Sequence, residues 1–141
     1  VVDTNVFIAA AGSPDGASRE VLRRCLRGDY TPLVGEALFL EYESVLRRPE
    51  PFAKSRATAA ERDALWAAMA NRCEWVRVHY LWRPNLPDEG DNHIMELALA
   101  GGAEAIITYN TEDFRGGELR FPQVRILTPA TLITETSTWR R

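Results

Sequence analysis

Asp3, Glu41, Asp91, Asn110 and Asp113 are the side chains of this 141-residue chain whose types and settings fit chemistry. Asp3 interrupts the run Val1-Val2-Asp3-Thr4-Asn5-Val6-Phe7-Ile8, which is otherwise apolar and β-branched and reads as a buried central strand. An ionised carboxylate there is costly unless a cation or several donors meet it, and Thr4 and Asn5 are placed to hold it by hydrogen bonds. Glu41 lies three residues after Leu38 and four before Val45, at the edge of its helix's apolar arc. Asp91 shares a stripe with Ile94, Met95 and Ala98, at the mouth of another buried face. Each acid also has a simpler reading: Asp3 and Asp91 as helix caps, and Glu41 in a salt bridge to an arginine, such as one from the first helix. Gathered in one place, however, such acids repel one another, and neighbouring side chains cannot neutralise them cheaply. A magnesium or manganese ion can, because it takes hard oxygen ligands, activates water and clamps phosphate oxygens.

The elements that would gather them follow from local signals. The opening strand leads into a short helical turn at Ala9-Ala10-Ala11-Gly12 and a loop at Ser13-Pro14-Asp15-Gly16. Val21, Leu22, Cys25 and Leu26 recur at helical spacing, with Gly28 placed to end the helix; Arg23, Arg24 and Arg27 read as its solvated face. Tyr30 to Val34 predicts a short strand near an edge, because Pro32 cannot donate to a ladder. Gly35 to Arg48 predicts a helix burying Leu38, Tyr42 and Val45. Thr58-Ala59-Ala60-Glu61 is a capping box, and its helix carries Leu65, Trp66 and Met69 inward before Asn71 ends it. Cys73 to Val78 reads as a strand and His79 to Pro87 as a proline-marked loop.

Acids crowd Asp88-Glu89-Gly90-Asp91 at the start of the next helix, which Gly101-Gly102 closes; Asp88 and Glu89 suit its dipole. His93, one of two histidines, reads as a surface or supporting residue. The strand Ala105 to Thr108 then ends in Tyr109-Asn110-Thr111-Glu112-Asp113, the same layout as Asp3-Thr4-Asn5. Gly116-Gly117 turns the chain, Val124 to Leu127 is a last strand, and Thr128-Pro129 opens a final helix with a cap and a first-turn proline. The tail, Trp139-Arg140-Arg141, carries no structural signal. Alternating strands and helices predict an α/β fold with a mainly parallel sheet, whose carboxyl ends would collect Asp3, Glu41, Asp91 and the Asn110/Asp113 pair.

Composition sets the bounds. The length and a 45% hydrophobic content suit one domain over residues 1–141. A net charge of −3 gives no global basic field, so contact with nucleic acid needs a local positive charge such as a metal ion. Cys25 and Cys73 stand apart without zinc spacing and read as reduced thiols of an intracellular, cytoplasmic protein. No apolar run approaches the roughly 18 residues needed to span a bilayer. The chain opens mid-strand at a valine, so a few residues upstream are expected. A receiver domain or a haloacid-dehalogenase-like phosphatase would need a lysine late in the sheet, and a P-loop enzyme one in its glycine-rich loop; the only lysine is Lys54, in a loop without such a motif. A dinucleotide-binding glycine fingerprint is absent.

Four blocks, the opening DTNV, the glutamate within LFLEYESVL, the EGDNHIMELALAGGAEAIIT segment and the closing VRILTPATL, together resemble the PIN-domain nucleases. They are similar to the branch of toxin components of toxin-antitoxin modules related to the VapC-type toxins, and the resemblance runs in order over essentially the whole chain. It implies a three-layer α/β/α sandwich and a metal-dependent endoribonuclease using Mg2+ or Mn2+. It also implies an RNA substrate, a cognate antitoxin that blocks the acidic groove, and a homodimer. Matched residue by residue, Asp3, Glu41 and Asp91 look like the family's metal-binding acids, Thr108 like the hydroxyl that orients the site, and Asn5 like the polar residue supporting the first acid. Where many members carry an aspartate two residues after that threonine, this chain has Asn110; Asp113, three residues on, is the compensating candidate. The alternative is a module of the same fold that binds RNA or an antitoxin without turnover.

Overall fold

Val1 and Val2 run extended beside a second apolar segment, and the chain turns into a helix at once. In the computed structural model, which describes residues 1–79, 91–115 and 121–137, helix α1 spans Thr4–Gly12. Only Val2 of the opening run pairs as a strand, in a parallel bridge to Ile107, with the Ile107 N–H donating to the Val1 carbonyl and the Asp3 N–H to the Ile107 carbonyl. The expected strand from Val1 to Ile8 is therefore corrected to a single bridge. A short apolar run does not by itself distinguish a buried strand from a buried helix, and Ala9-Ala10-Ala11, strong helix formers, extend the helix that buries Val6, Phe7, Ala10 and Ala11.

The helices with local signals form where expected. Helix α2 (Ala17–Arg27) ends at Gly28 in the left-handed conformation, φ 86°, and packs against α1. Its outward arginines pair with Glu20, Arg23 and Arg24 each at 3.2 Å. Strand β1 (Leu33–Val34) leads through Gly35 into α3 (Glu36–Arg47). A single 3-10 turn at Glu50–Phe52 precedes α4 (Ala59–Ala70), where Thr58 and Glu61 form the full capping box. Strand β2 (Glu74–Trp75) lies parallel to β1, and Pro32 takes part through its carbonyl, which accepts from the Glu74 N–H. Helix α5 (Asn92–Gly101) closes on Gly102 at φ 63° and leads to β3 (Ala105–Ile107).

After β3 the chain forms a short helix α6 (Thr111–Arg115), then β4 (Arg125–Leu127), parallel to β3, and α7 (Pro129–Thr136), capped by Thr128 with Pro129 in its first turn. Among the described residues every strand pairing is parallel and helices make up more than half: the fold is α/β with short strands. The strands are shorter than the runs from Tyr30 and Cys73 suggested. The expected loop before Pro87, the acids Asp88 and Glu89, the turn at Gly116-Gly117 and the tail from Trp139 lie outside the described residues.

Two features fix the helices that border the site. Phe7 of α1 meets Tyr42 edge-on at 5.5 Å and Trp66 at 6.3 Å, while the Tyr42 and Trp66 rings stack 4.1 Å apart. The Tyr42 hydroxyl reaches past them to donate to the Val2 carbonyl at 2.9 Å, tying α3 to the backbone beside Asp3. Gly35 sits where a Cβ would come within 3.0 Å of the Val76 carbonyl oxygen, so α3 begins in contact with the backbone leaving β2. Cys25 is buried and Cys73 half-buried; both are free, and burial pushes their thiols up to about 12 and about 11. None of the described helices is long and apolar enough to cross a membrane.

Candidate metal centre

Two neighbouring strand ends build the core of the site. Val2 exits into Asp3-Thr4-Asn5 and β3 exits into Thr108-Tyr109-Asn110, and the parallel pairing of Val2 with Ile107 sets the two triplets side by side. Thr108, fully buried, is the junction. Its hydroxyl donates to Asp3 Oδ2 at 2.8 Å and accepts from the Asn110 N–H at 3.0 Å and from Asn5 Nδ2 at 3.3 Å. One donor and two acceptors saturate a hydroxyl, so Thr108 has a single orientation and holds Asp3 in one rotamer. Asn5 completes the link by accepting the Tyr109 N–H at 3.3 Å.

Thr4 serves the other carboxylate. Its hydroxyl donates to Glu41 Oε1 at 3.0 Å, not to Asp3 as the sequence suggested, because the helix starting at Thr4 turns that side chain toward α3. Glu41 Oε2 meets His93 Nε2 at 2.8 Å. The arginine partner considered for Glu41 is replaced by a histidine from α5; Arg48 adds only a longer-range attraction. His93 is thus a supporting residue rather than a surface one, and two residues after Asp91 it places the start of α5 against Glu41.

The electrostatics divide the two carboxylates. Burial pushes the Asp3 carboxyl above its ordinary range, the Thr108 hydrogen bond opposes this, and repulsion from Glu41 adds to it. Burial acts upward on Glu41 as well, but the His93 contact and charge, the Thr4 hydroxyl and Arg48 outweigh it and hold Glu41 below its ordinary range. Asp3 is a carboxylate that its surroundings disfavour as an anion, whereas Glu41 is one they favour.

Neither suspected cap caps. Asp3 and Asp91 occupy the positions before α1 and α5, yet neither side chain makes a cap hydrogen bond. Asn110 is exposed and Asp113 half-buried in the first turn of α6, its N–H donating to the Asn110 carbonyl. The expected cage of Asp3, Glu41 and Asp91 is not closed: among the described residues, no three acid, histidine or cysteine side chains come together as a group able to hold a metal. What the fold does bring together is the pair Asp3 and Glu41, near enough for their charges to repel. That donor set still fits magnesium or manganese chemically, since such ions take hard oxygens, commonly one or two carboxylates, and draw the rest of their shell from water and phosphate.

The sequence reading missed Thr4 and His93 as the partners of Glu41, and Ser18, whose buried hydroxyl bonds the Tyr109 hydroxyl. All three depend on contacts between segments distant in the chain.

Comparison with known proteins adds one finding. No curated protein and no solved structure matches the chain. A family model described as PIN domain matches residues 1–112, a stretch that contains Asp3, Asn5, Glu41, Asp91, Thr108 and Asn110 and ends one residue before Asp113. With most of its length inside that match, the chain belongs to the PIN domain family.

Proposed function

We propose that this protein is a metal-dependent endoribonuclease, the toxin of a toxin-antitoxin module, built as a single three-layer α/β/α domain over residues 1–141. PIN domains are a nuclease fold, often with metal-dependent ribonuclease activity, and the family's nucleases often partner with antitoxins. The observation that carries the reading is Asp3, buried at a strand-to-helix exit, fixed by Thr108 and repelled by Glu41. A buried anion set beside a second anion is stabilised by a cation, and hard oxygens select magnesium or manganese.

In this reading Asp3 and Glu41 hold the ion, with Asp91 reaching it directly or through water. When bound, the ion supplies the Lewis acidity that water needs to attack a phosphodiester. The chain's own residues do the positioning. Thr108 and Asn5 lock Asp3, while Thr4 and His93 aim Glu41. Asn110 or Asp113, at the rim, orients the attacking water. The water oxygen bonds to phosphorus as the bond to the 3′ oxygen breaks, leaving a 5′-phosphate and a 3′-hydroxyl. A cytoplasmic homodimer whose groove is closed by the antitoxin completes the reading, and these last points rest on the resemblance of the four sequence blocks.

A second reading has its own support. Asn110 is neutral where many relatives have an acid, and three acids do not meet among the described residues; a module that binds RNA or an antitoxin without turnover fits both facts. One experiment separates them: incubation of purified protein with structured RNAs in magnesium, in manganese and in chelator, beside Asp91→Asn prepared identically. Metal-dependent cutting that vanishes in the variant supports the nuclease. No cutting by folded protein in either metal supports the binding module, and cutting that persists in Asp91→Asn removes Asp91 from the site.

A further inference from the structure

We infer that Tyr109 is a stacking platform for an unpaired RNA base at the rim of the carboxylate site. The inference rests on the nuclease reading above and specifies the form of RNA it takes. Tyr109 is 47% exposed, a large aromatic left open to solvent between two residues that serve the site. Thr108 before it holds Asp3, and the N–H of Asn110 after it is bonded to that same Thr108 hydroxyl.

The residue is tethered at both ends. Its backbone N–H donates to Asn5 Oδ1, and its phenol hydroxyl is bonded to the hydroxyl of Ser18, a side chain only 3% exposed at the start of α2. A polar tip tied down in this way leaves the faces of the ring, and not the hydroxyl, for an outside partner. The tether also removes most of the rotamer freedom that binding would otherwise have to suppress, so the ring is preorganised. Among the described residues, the remaining large exposed apolar side chains differ in setting. Trp75 is packed on Phe39 at 5.9 Å and Leu40 is aliphatic, and neither adjoins the Asp3–Thr108 bond.

Stacking suits this surface because it is indifferent to charge. A chain of net charge −3 with carboxylates at its site repels a phosphate backbone wherever no cation intervenes. A nucleobase on an aromatic face adds affinity that does not depend on that balance, and every base has such a face. Bases paired in a duplex keep their faces stacked on each other, so the platform selects single-stranded segments, loops and bulges.

The test compares the full chain with Tyr109→Leu, Tyr109→Trp and Ser18→Ala on one unstructured RNA oligomer and on the same sequence annealed into a duplex, with manganese present. Tyr109→Leu should raise KM about ten-fold and leave kcat within about two-fold; Tyr109→Trp should stay near wild type; Ser18→Ala should cost about two- to three-fold in KM. The duplex should be cut at least about ten-fold less efficiently. A parallel measurement needs no turnover. In an Asp3→Asn background, 2-aminopurine in the oligomer should be quenched on binding with Tyr109 or Trp in place and not with Leu. Unchanged KM in Tyr109→Leu, a loss confined to kcat, or equal use of duplex would each overturn the platform. If the wild-type chain cuts nothing but the Tyr109-dependent quench remains, the platform stands and the nuclease reading falls.

Discussion

Helices α4 and α7 begin at Thr58 and Thr128, whose hydroxyls accept a backbone N–H from the first turn at 3.1 and 3.2 Å. Helices α1 and α5 follow Asp3 and Asp91, residues of a type suited to the task, and neither side chain makes a cap hydrogen bond; Asp91 is itself helical at φ −88°, ψ −13°, so of the two only Asp3 has the extended backbone of a cap. The second pair borders the carboxylates, Asp3 as one of them and Asp91 two residues before His93, the partner of Glu41. An N-cap is worth about 1 kcal/mol, so Asp3 forgoes stabilisation that its type and position offered. Asp3 goes further, because burial and Glu41 make its ionised form unfavourable. The contrast separates helix starts that serve the fold from helix starts that serve the site.

The comparison breaks most visibly at Asp3. Asp3→Asn should lower metal-dependent RNA cleavage by roughly a thousand-fold, about 4 kcal/mol of barrier, while its melting temperature holds or rises. Cleavage assays and thermal melts on one preparation check both halves, and a stability loss as large as that of a capping mutant would erase the distinction. Thr108→Val removes the hydroxyl that fixes Asp3 and should cost about ten- to a hundred-fold in metal affinity, read by titration of manganese against activity. Thr58→Ala is the mirror image: about 1 kcal/mol of stability, or about 3 °C in melting temperature, with cleavage unchanged.

The smallest effect sharpens the contrast through pH. Because Asp3 has a raised value in the folded state, the folded chain holds that proton more tightly than the unfolded one. Its contribution to stability therefore falls as pH rises from the ordinary aspartate range through the raised value. Glu41, held low, has the opposite sign: its stabilisation is present above the ordinary glutamate range and is lost as pH falls through its lowered value. Denaturant melts of wild type and Asp3→Asn should converge in acid and separate toward neutral pH, with the variant the more stable. Parallel curves would mean that Asp3 is not strained by its surroundings.

What could be read from the sequence had local causes. Gly28 and Gly102 in the left-handed region, the Thr58–Glu61 box and the Thr128-Pro129 start each announce an element through a few adjacent residues, and each element formed there. Val6-Phe7-Ile8 could not be assigned in this way, since a short apolar run satisfies a strand and a buried helix alike until its packing partners, here Tyr42 and Trp66, are known. The same limit hid the pairing of Thr4 and His93 with Glu41. Three segments far apart in the chain meet there, and no spacing within any one of them records it.

Gly35 gives the site a hidden hinge pin. Glu41 lies six residues along α3 from it, about 9 Å down a stiff rod whose foot rests on the Val76 carbonyl. A methyl at position 35 would meet the Val76 carbonyl oxygen at 3.0 Å and the end of the Leu97 side chain at 3.3 Å, so either α3 or these neighbours would have to give by a few tenths of an ångström. Every acid would still be present, so a comparison of site residues alone would not register the crowding beneath them. Deciding which members of a large family are active then requires reading the small residues under the helices as well as the acids at their tips.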